Sequence, residues 1–485
     1  MPASGTGFQP VGSVTGFQPA VPSFRFTGLE ARCTTDRLEA RPSGEVPPGR
    51  ILDPVLITPV VNPIALSKRF HSDAAPFCHA SFESLPRTMF VIVIIAVMLL
   101  GDFVWWRFCA RRLARAGIGW KVGIGAFTTA QAGGMVLVLF TRTSEHGLSF
   151  LLTTPVIAGI YVWHFLFIFP MMLVWLPLSV ARAISRLARR MSGMKRARAG
   201  STSTAHPALA MTRRDFIGVV GCGAPAILAL GATGFALPQL QHFRVRRMAV
   251  PIPNLPAALE GLTIAHVTDL HVGQFTHGAI LDEIVEATNA LRADLVLSTG
   301  DLINFALKDL TAGIGVISRL RAEHGVFMCE GNHDLFENAA EFRHRTRAAG
   351  IRLLVNEGAV VSIRQTAVQF LGLQWGAGHG DDAIAHSMGA LLRQSRPDAF
   401  AVLLAHHPHA FDYAEDIPLT LAGHTHGGQL MATGELGCGP MLFRYWSGLY
   451  RNENRALVVS NGVGNWFPLR TRAPAEIVHL TLRRG

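Results

Sequence analysis

The run MFVIVIIAVMLLGDFVWW, residues 89–106, is long enough to span a bilayer. Backbone crossing hydrocarbon must satisfy its own hydrogen bonds, so a run of this length is expected to be a helix. Three further apolar stretches follow, near 122–140, about 150–181 and 216–237. The third is longer than one crossing requires and holds Pro155, Pro170 and Pro177, which predicts one kinked or tilted helix or a re-entrant pair. The fourth is rich in glycine but carries no charge over its length. The composition fits this reading: 49% of residues are hydrophobic and only 16% charged, low for a soluble protein.

A formal charge of +11 first suggests nucleic acid, but its distribution does not. Residues 241–485 hold 21 Lys+Arg and 23 Asp+Glu, a net of −2, so the whole basic excess lies in the apolar half. There it orients spans rather than binding polyanions. Arg107, Arg111, Arg112, Arg115 and Lys121 follow the first run, and nine more basic residues between Arg182 and Arg214 follow the third. Both loops are expected on the cytoplasmic side, which puts everything after Leu237 outside. Arg244, Arg246 and Arg247 weigh slightly against that orientation. TRRDFIGVVG, residues 212–221, resembles a twin-arginine export signal through Arg213 and Arg214, and is equally an ordinary basic flank. The twin-arginine translocation machinery is therefore one expected partner.

Residues 1–87 are rich in Pro, Gly, Ser and Thr, repeat TGFQP, and keep no helical or strand period. They are expected to be disordered, or not translated at all if synthesis begins at Met89. The six cysteines form no CxxC pair, which argues against a disulfide framework or a zinc ribbon, and Cys329 in GVFMCE reads as a buried, inert thiol. The expected organisation is a membrane domain over 88–237, a Pro-rich linker over 238–257 containing VPIPNLP, and a separate domain over 258–485.

That last domain changes period. LTIAHVTD, DLVLSTGD and GVFMCEGN read as strands; between them Ile280, Ile284, Ala287 and Leu291, then Leu310, Ile314 and Ile317, form helical stripes. The series is βαβαβ with parallel strands. Polar residues stand just past each strand: Asp269 and His271 in TDLH, Asp301 in TGD, Asn332, His333 and Asp334 in GNHD, His406 in LLAHHP, and His424 and His426 in AGHTH. The carboxyl ends of neighbouring strands share one crevice, so residues distant in sequence can meet there. Asp269, Asp301 and His333 are spaced 32 positions apart, about one βα unit each. Singly, each Asp reads as a turn or a cap and each His as structural; His277, His379, His407 and His409 keep that reading. Jointly, carboxylates, imidazoles and an amide without a thiolate suit Mn, Fe or Zn. Seven ligands exceed one ion's need and suit two ions roughly 3.5–4 Å apart, which can generate hydroxide and clamp phosphoryl oxygens during in-line displacement.

TDLH, GD, GNHD, the histidine before HP, and GHTH resemble the five signatures of the calcineurin-like metallophosphoesterase superfamily. GHTHGGQ, SGLY, SNGVGNWFPLR and APAEI are similar to its membrane-anchored bacterial branch. The resemblance covers about 258–485. It implies an α/β fold, a four-layer sandwich of two mixed β-sheets flanked by helices, here preceded by about four transmembrane helices. It implies two divalent metal ions, one held by Asp269, His271, Asp301 and His426, the other by Asp301, Asn332, His406 and His424. The H-x-P spacing selects His406 over His407. His333 would stabilise phosphoryl charge or protonate the leaving oxygen, with Asp334 orienting it. The glycines of the GHTHGG loop would let His424 and His426, two positions apart, serve different ions. The expected function is a phosphodiesterase of the bacterial inner membrane whose catalytic domain faces the periplasm or exterior and whose substrate is a phosphodiester, lipid headgroups included. The alternatives are a pyrophosphatase acting on a nucleotide-linked lipid precursor, whose substrate is cytoplasmic, and a non-catalytic phosphate-binding module attached to a receptor or transporter.

Overall fold

The computed structural model describes residues 87–113, 118–143, 152–191, 213–376, 381–452 and 454–485. The N-terminal segment up to residue 86, most of the basic stretch after Met191, and His379 lie outside the described residues. The apolar half is helical: α1 (Arg87–Arg112), α2 (Ile118–Thr143), α3 (Thr154–Val162), α4 (Phe169–Met191) and α5 (Arg213–Gln239). A π-helical turn, Trp163–Ile168, joins α3 to α4 without a break, and the Phe169 N–H donates to His164 O. Pro170 follows at once and supplies no N–H, which suits a ladder that slips by one residue there.

Among the described residues three helical segments are long and apolar enough to cross a membrane: Val93–Arg112, Thr154–Arg189 and Phe216–Gln241. That is one fewer than the sequence suggests. The expected second span lies within α2. One ionisable pair within this region faces inward, as expected in hydrocarbon. Asp102 on α1 accepts from Trp163 Nε1 at 2.8 Å and lies 2.9 Å from His164 Nε2. Both Asp102 and His164 are buried.

Two six-stranded sheets follow. The first runs β1 (Arg244–Ile252), β12 (Glu476–Arg484), β2 (Thr263–His266), β3 (Leu295–Ser298), β4 (Val326–Met328), β5 (Arg352–Leu353). The second runs β10 (Gly448–Asn452), β11 (Arg455–Val459), β9 (Leu419–Ala422), β8 (Phe400–Leu404), β7 (Thr366–Gly372), β6 (Glu357–Ile363). Both are mixed: β2 to β5 and β7, β8, β9, β11 are parallel, while β12–β2, β6–β7 and β10–β11 are antiparallel. The inner faces pack together through a continuous apolar core that includes Ile264, Leu297, Phe327, Phe370, Val402 and Leu421. Phe327 and Phe370 meet across it at 4.5 Å. The outer face of the first sheet is covered by α6 (Ala279–Ala290), α7 (Leu310–Arg319) and α8 (Ala339–Ala348). That of the second is covered by α9 (Asp381–Leu392) and the turn Pro408–Tyr413. The result is the expected four-layer α/β sandwich.

One boundary differs. Residues 244–252, expected in a linker, form β1, paired in parallel with the C-terminal strand β12 from Arg244↔Glu476 to Ile252↔Arg484. Its basic residues are partners rather than orientation signals. Buried Glu476 binds Arg244 at 2.9 Å and Arg246 at 2.8 Å. The sandwich also sits directly on the helices, because Phe275, Phe467 and Leu469 are buried in the same apolar cluster as Trp163 and Ile168.

Candidate metal centre

β2, β3 and β4 lie side by side and in parallel, so the loops that leave their carboxyl ends converge. Asp269 and His271 leave β2, Asp301 leaves β3, and Asn332, His333 and Asp334 leave β4. His406 leaves β8 and His424 and His426 leave β9, reaching the same place from the second sheet. Five of these residues adopt left-handed backbone: Asp269 (φ 53), His271 (φ 47), Asp301 (φ 54), His424 (φ 71) and His426 (φ 50). Such a conformation is costly away from glycine and collects at functional sites. Gly423 stands where any Cβ would strike the Asp269 carboxylate, and Gly427 (φ 62) where one would strike Asn461.

The side chains fall into two groups that share one carboxylate. Asp269, His271 and His426 form the first: His271 Nε2 and His426 Nε2 are 2.9 Å apart, and His426 Nε2 is 3.4 Å from Asp269 Oδ1. Asp301, His406 and His424 form the second, with the Asn332 amide oxygen 3.1 Å from both His406 Nε2 and His424 Nδ1. Asp301 Oδ2 lies 3.1 Å from His406 Nε2 and 3.5 Å from His271 Nε2, between the groups. All seven expected ligands are therefore brought together. His407 is not among them; its ring accepts from the His409 N–H, and burial lowers its pKa to about 3. His277 is also outside, 3.3 Å from Thr154 Oγ1 on α3.

The donor set fits divalent cations. It contains only carboxylate, imidazole and amide donors, nearly all buried, with like donors facing one another. Burial and the neighbouring cationic or imidazole groups hold His271, His424 and His426 well below the ordinary imidazole value, so their lone pairs are available. Burial opposes protonation of His406 too, but Asp301 and Asp269 beside it raise its pKa to about 9. A divalent ion held by His406 would displace that proton. His406 Nδ1 donates to Thr299 O at 2.7 Å, an outer bond that fixes which nitrogen faces the centre. His271 Nδ1 is buried without a hydrogen-bond partner.

His333 borders the shared carboxylate. Its backbone N–H donates to Asp301 Oδ1 at 2.8 Å, and its Nδ1 donates to Asn304 O at 2.6 Å. The Asn304 carbonyl orients the His333 ring, while the Asp334 carboxylate accepts from the backbone N–H groups of Asp301, Ile303 and Gly331. Burial and nearby Asp301 push Asp334 well above the usual carboxylate range.

Arg470 is a residue that reading the motifs one by one misses. It is buried, and all its donors are used: Nε on Asn465 Oδ1, Nη1 on the Asn461 and Ala473 carbonyls, Nη2 on Gly464 O and on His426 Nδ1 at 2.9 Å. Burial lowers its pKa to about 10, with Asp269 and Glu476 opposing, so it stays a cation at neutral pH. Its backbone N–H donates to Gln239 Oε1, at the end of α5. One residue thus links a candidate ligand to the last membrane helix. The only local signal was its place at the end of SNGVGNWFPLR.

Residues 262–428 match the family model described as calcineurin-like phosphoesterase. A transmembrane protein with metallophosphoesterase domain from Danio rerio is 27% identical over 425 residues, 82% of this chain and 90% of that protein. An uncharacterised metallophosphoesterase of Campylobacter jejuni is 31% identical over 49% of this chain and 63% of its own length. The phosphodiesterase YaeI of Escherichia coli is 29% identical over 45% of this chain and 81% of its length.

Proposed function

Since this chain carries a calcineurin-like phosphoesterase domain and is a membrane-associated, metal-dependent phosphoester hydrolase, we propose that it cleaves phosphodiesters of lipid headgroups at the outer face of a bacterial inner membrane. The observation that supports the lipid is the position of the centre. Arg470 touches both His426 and the end of α5, and Phe467 and Leu469 are buried among the membrane helices. A soluble phosphodiester would gain nothing from that placement.

Asp269, His271, Asp301 and His426 would hold one divalent ion, and Asp301, Asn332, His406 and His424 the other. A pair so held supplies a nucleophile from water at neutral pH and neutralises charge on the phosphoryl oxygens. The protein's own groups do the rest. Asp301 keeps the two halves in register, and Arg470 fixes His426. His333, held through its Nδ1–H by the Asn304 carbonyl, would give its Nε2 proton to the departing oxygen from the doubly protonated ring and be left neutral with the Nδ1 proton in place. Export by the twin-arginine route, through Arg213 and Arg214 at the start of α5, would carry the domain across already folded.

Topology separates this reading from the pyrophosphatase, whose nucleotide-linked substrate is cytoplasmic. Two contacts favour the outer side. Thr154 at the start of α3 and Gln239 at the end of α5 both touch the sandwich, so those ends share its side of the membrane. The basic residues gather at the other ends, with Arg111 and Arg112 in the last turn of α1 and Arg182 and Arg186 within α4. A periplasm-dependent reporter fused after Gly485 is expected to be active, and one fused near Lys195 inactive. The reverse pattern would sink the outer-leaflet substrate and favour the pyrophosphatase.

A further inference from the structure

The segment between Leu430 and Phe443 is a small hairpin followed by α10 (Cys438–Leu442). Its base is tied down. Met431 N–H donates to Thr471 O at 3.0 Å, and Cys438 N–H to Leu430 O at 3.0 Å. Leu430 packs against the apolar cluster of the membrane helices, beside Trp466, Phe467 and Leu469. At its far end the Phe443 ring stands edge-on to candidate ligand His424, centroids 5.9 Å apart. The segment thus runs from the membrane helices to the metal centre.

Its outer surface has no cover. Leu436 is 61% exposed, Met441 78% and Leu442 69%. After residue 240, only Phe336 and Val360 among the other described large apolar residues are exposed. Three of five in one seven-residue stretch is a patch rather than scatter, and such patches mark interaction surfaces. What lies against it follows from continuity. The same chain segment begins within the membrane-helix cluster, and neighbouring Arg470 bonds to the end of α5. The hairpin base therefore stands level with the point where the last span leaves the bilayer. At that level the adjoining apolar phase is the acyl boundary of the membrane.

We propose that residues 436–442 insert into the headgroup layer of the bilayer that holds the chain, and that this apolar wedge steadies a lipid-borne phosphoester beside His424. The second clause rests on the lipid reading above; the first does not. Amphipathic surface elements seat themselves at this depth by the same burial.

The test uses the full chain in phosphatidylethanolamine/phosphatidylglycerol vesicles. An environment-sensitive fluorescent amino acid is encoded in place of Met441, and separately in place of exposed Asp398 as the control. Insertion requires that the label at 441 be quenched by headgroup-proximal nitroxide lipids and shielded from aqueous iodide, with the opposite result at 398. A label at 441 open to iodide overturns the proposal. So does a label shielded from both quenchers in a protein that cross-links as a dimer, which assigns the patch to a second copy. In the second arm, the double variant Met441→Glu, Leu442→Glu should lose about tenfold or more in kcat/KM on vesicle phosphodiesters, the scale expected for withdrawing two such side chains from an apolar phase. Its rate on soluble bis-p-nitrophenyl phosphate should stay within about twofold of the parent. Equal losses on both substrates overturn the steadying role. If the parent cleaves no lipid but the label at 441 is quenched by nitroxide, insertion stands and the lipid-substrate reading falls.

Discussion

Replacing Asp301 with alanine should lower hydrolysis of bis-p-nitrophenyl phosphate by at least about 10³-fold, because the ion pair at such a centre supplies several kcal/mol of transition-state stabilisation. Among the described residues Asp301 is the carboxylate that stands with both groups of imidazoles, 3.1 Å from His406 Nε2 and 3.5 Å from His271 Nε2. Its other oxygen receives the His333 N–H, so the substitution also frees the proton donor's backbone. Metal content by mass spectrometry should fall in parallel. Asp301→Asn is the companion variant, since it keeps volume while removing the charge. A chain bearing Asp301→Ala with full metal content and activity within tenfold of the parent would show that Asp301 does not bridge.

His333→Ala should behave differently, keeping its metal and losing about 10²–10⁴-fold in rate, the usual range for general-acid help. The reasoning is geometric. His333 lies against Asp301 and is anchored by the Asn304 carbonyl through Nδ1–H at 2.6 Å, so acting as an acid requires the doubly protonated ring, which gives up its Nε2 proton and keeps the one on Nδ1. The loss should be small for p-nitrophenolate, which departs with little protonation, and large for an alkoxide such as glycerol. His424→Ala, by contrast, removes a group 3.1 Å from Asn332 Oδ1 and should lower metal occupancy and slow all substrates alike. Equal losses on both leaving groups, or metal loss on His333→Ala, would remove His333 from the acid role.

Much of this arrangement could be read locally. The strands β2, β3 and β4 are short apolar runs, and a polar residue directly after such a run marks the sheet's carboxyl edge wherever the connections are helical. Asp269, Asp301 and His333 recur at the βα spacing, so their convergence follows from topology. What stayed hidden depends on contacts across long separations. β1 looks like a linker because its basic residues and Pro251 blur any alternation. Only the pairing with β12, more than 230 positions away, makes it a strand. Arg470 is one arginine among many until the fold delivers it, buried, to His426 Nδ1. The partners of the Asp334 carboxylate are likewise set by the fold. In the fold, three backbone N–H groups surround it, and a local reading of GNHD cannot see two of them, those of Asp301 and Ile303.

The central claim is that two metal ions, sharing Asp301, make this chain a phosphodiesterase. It is tested most directly by stripping the full-length protein with chelator and titrating Mn²⁺ back while following bis-p-nitrophenyl phosphate hydrolysis and bound metal together. Activity should be absent in the stripped protein, should lag through the first equivalent, and should reach its plateau at two ions per chain. Hydrolysis that survives exhaustive chelation, or that saturates at a single equivalent, would contradict the account.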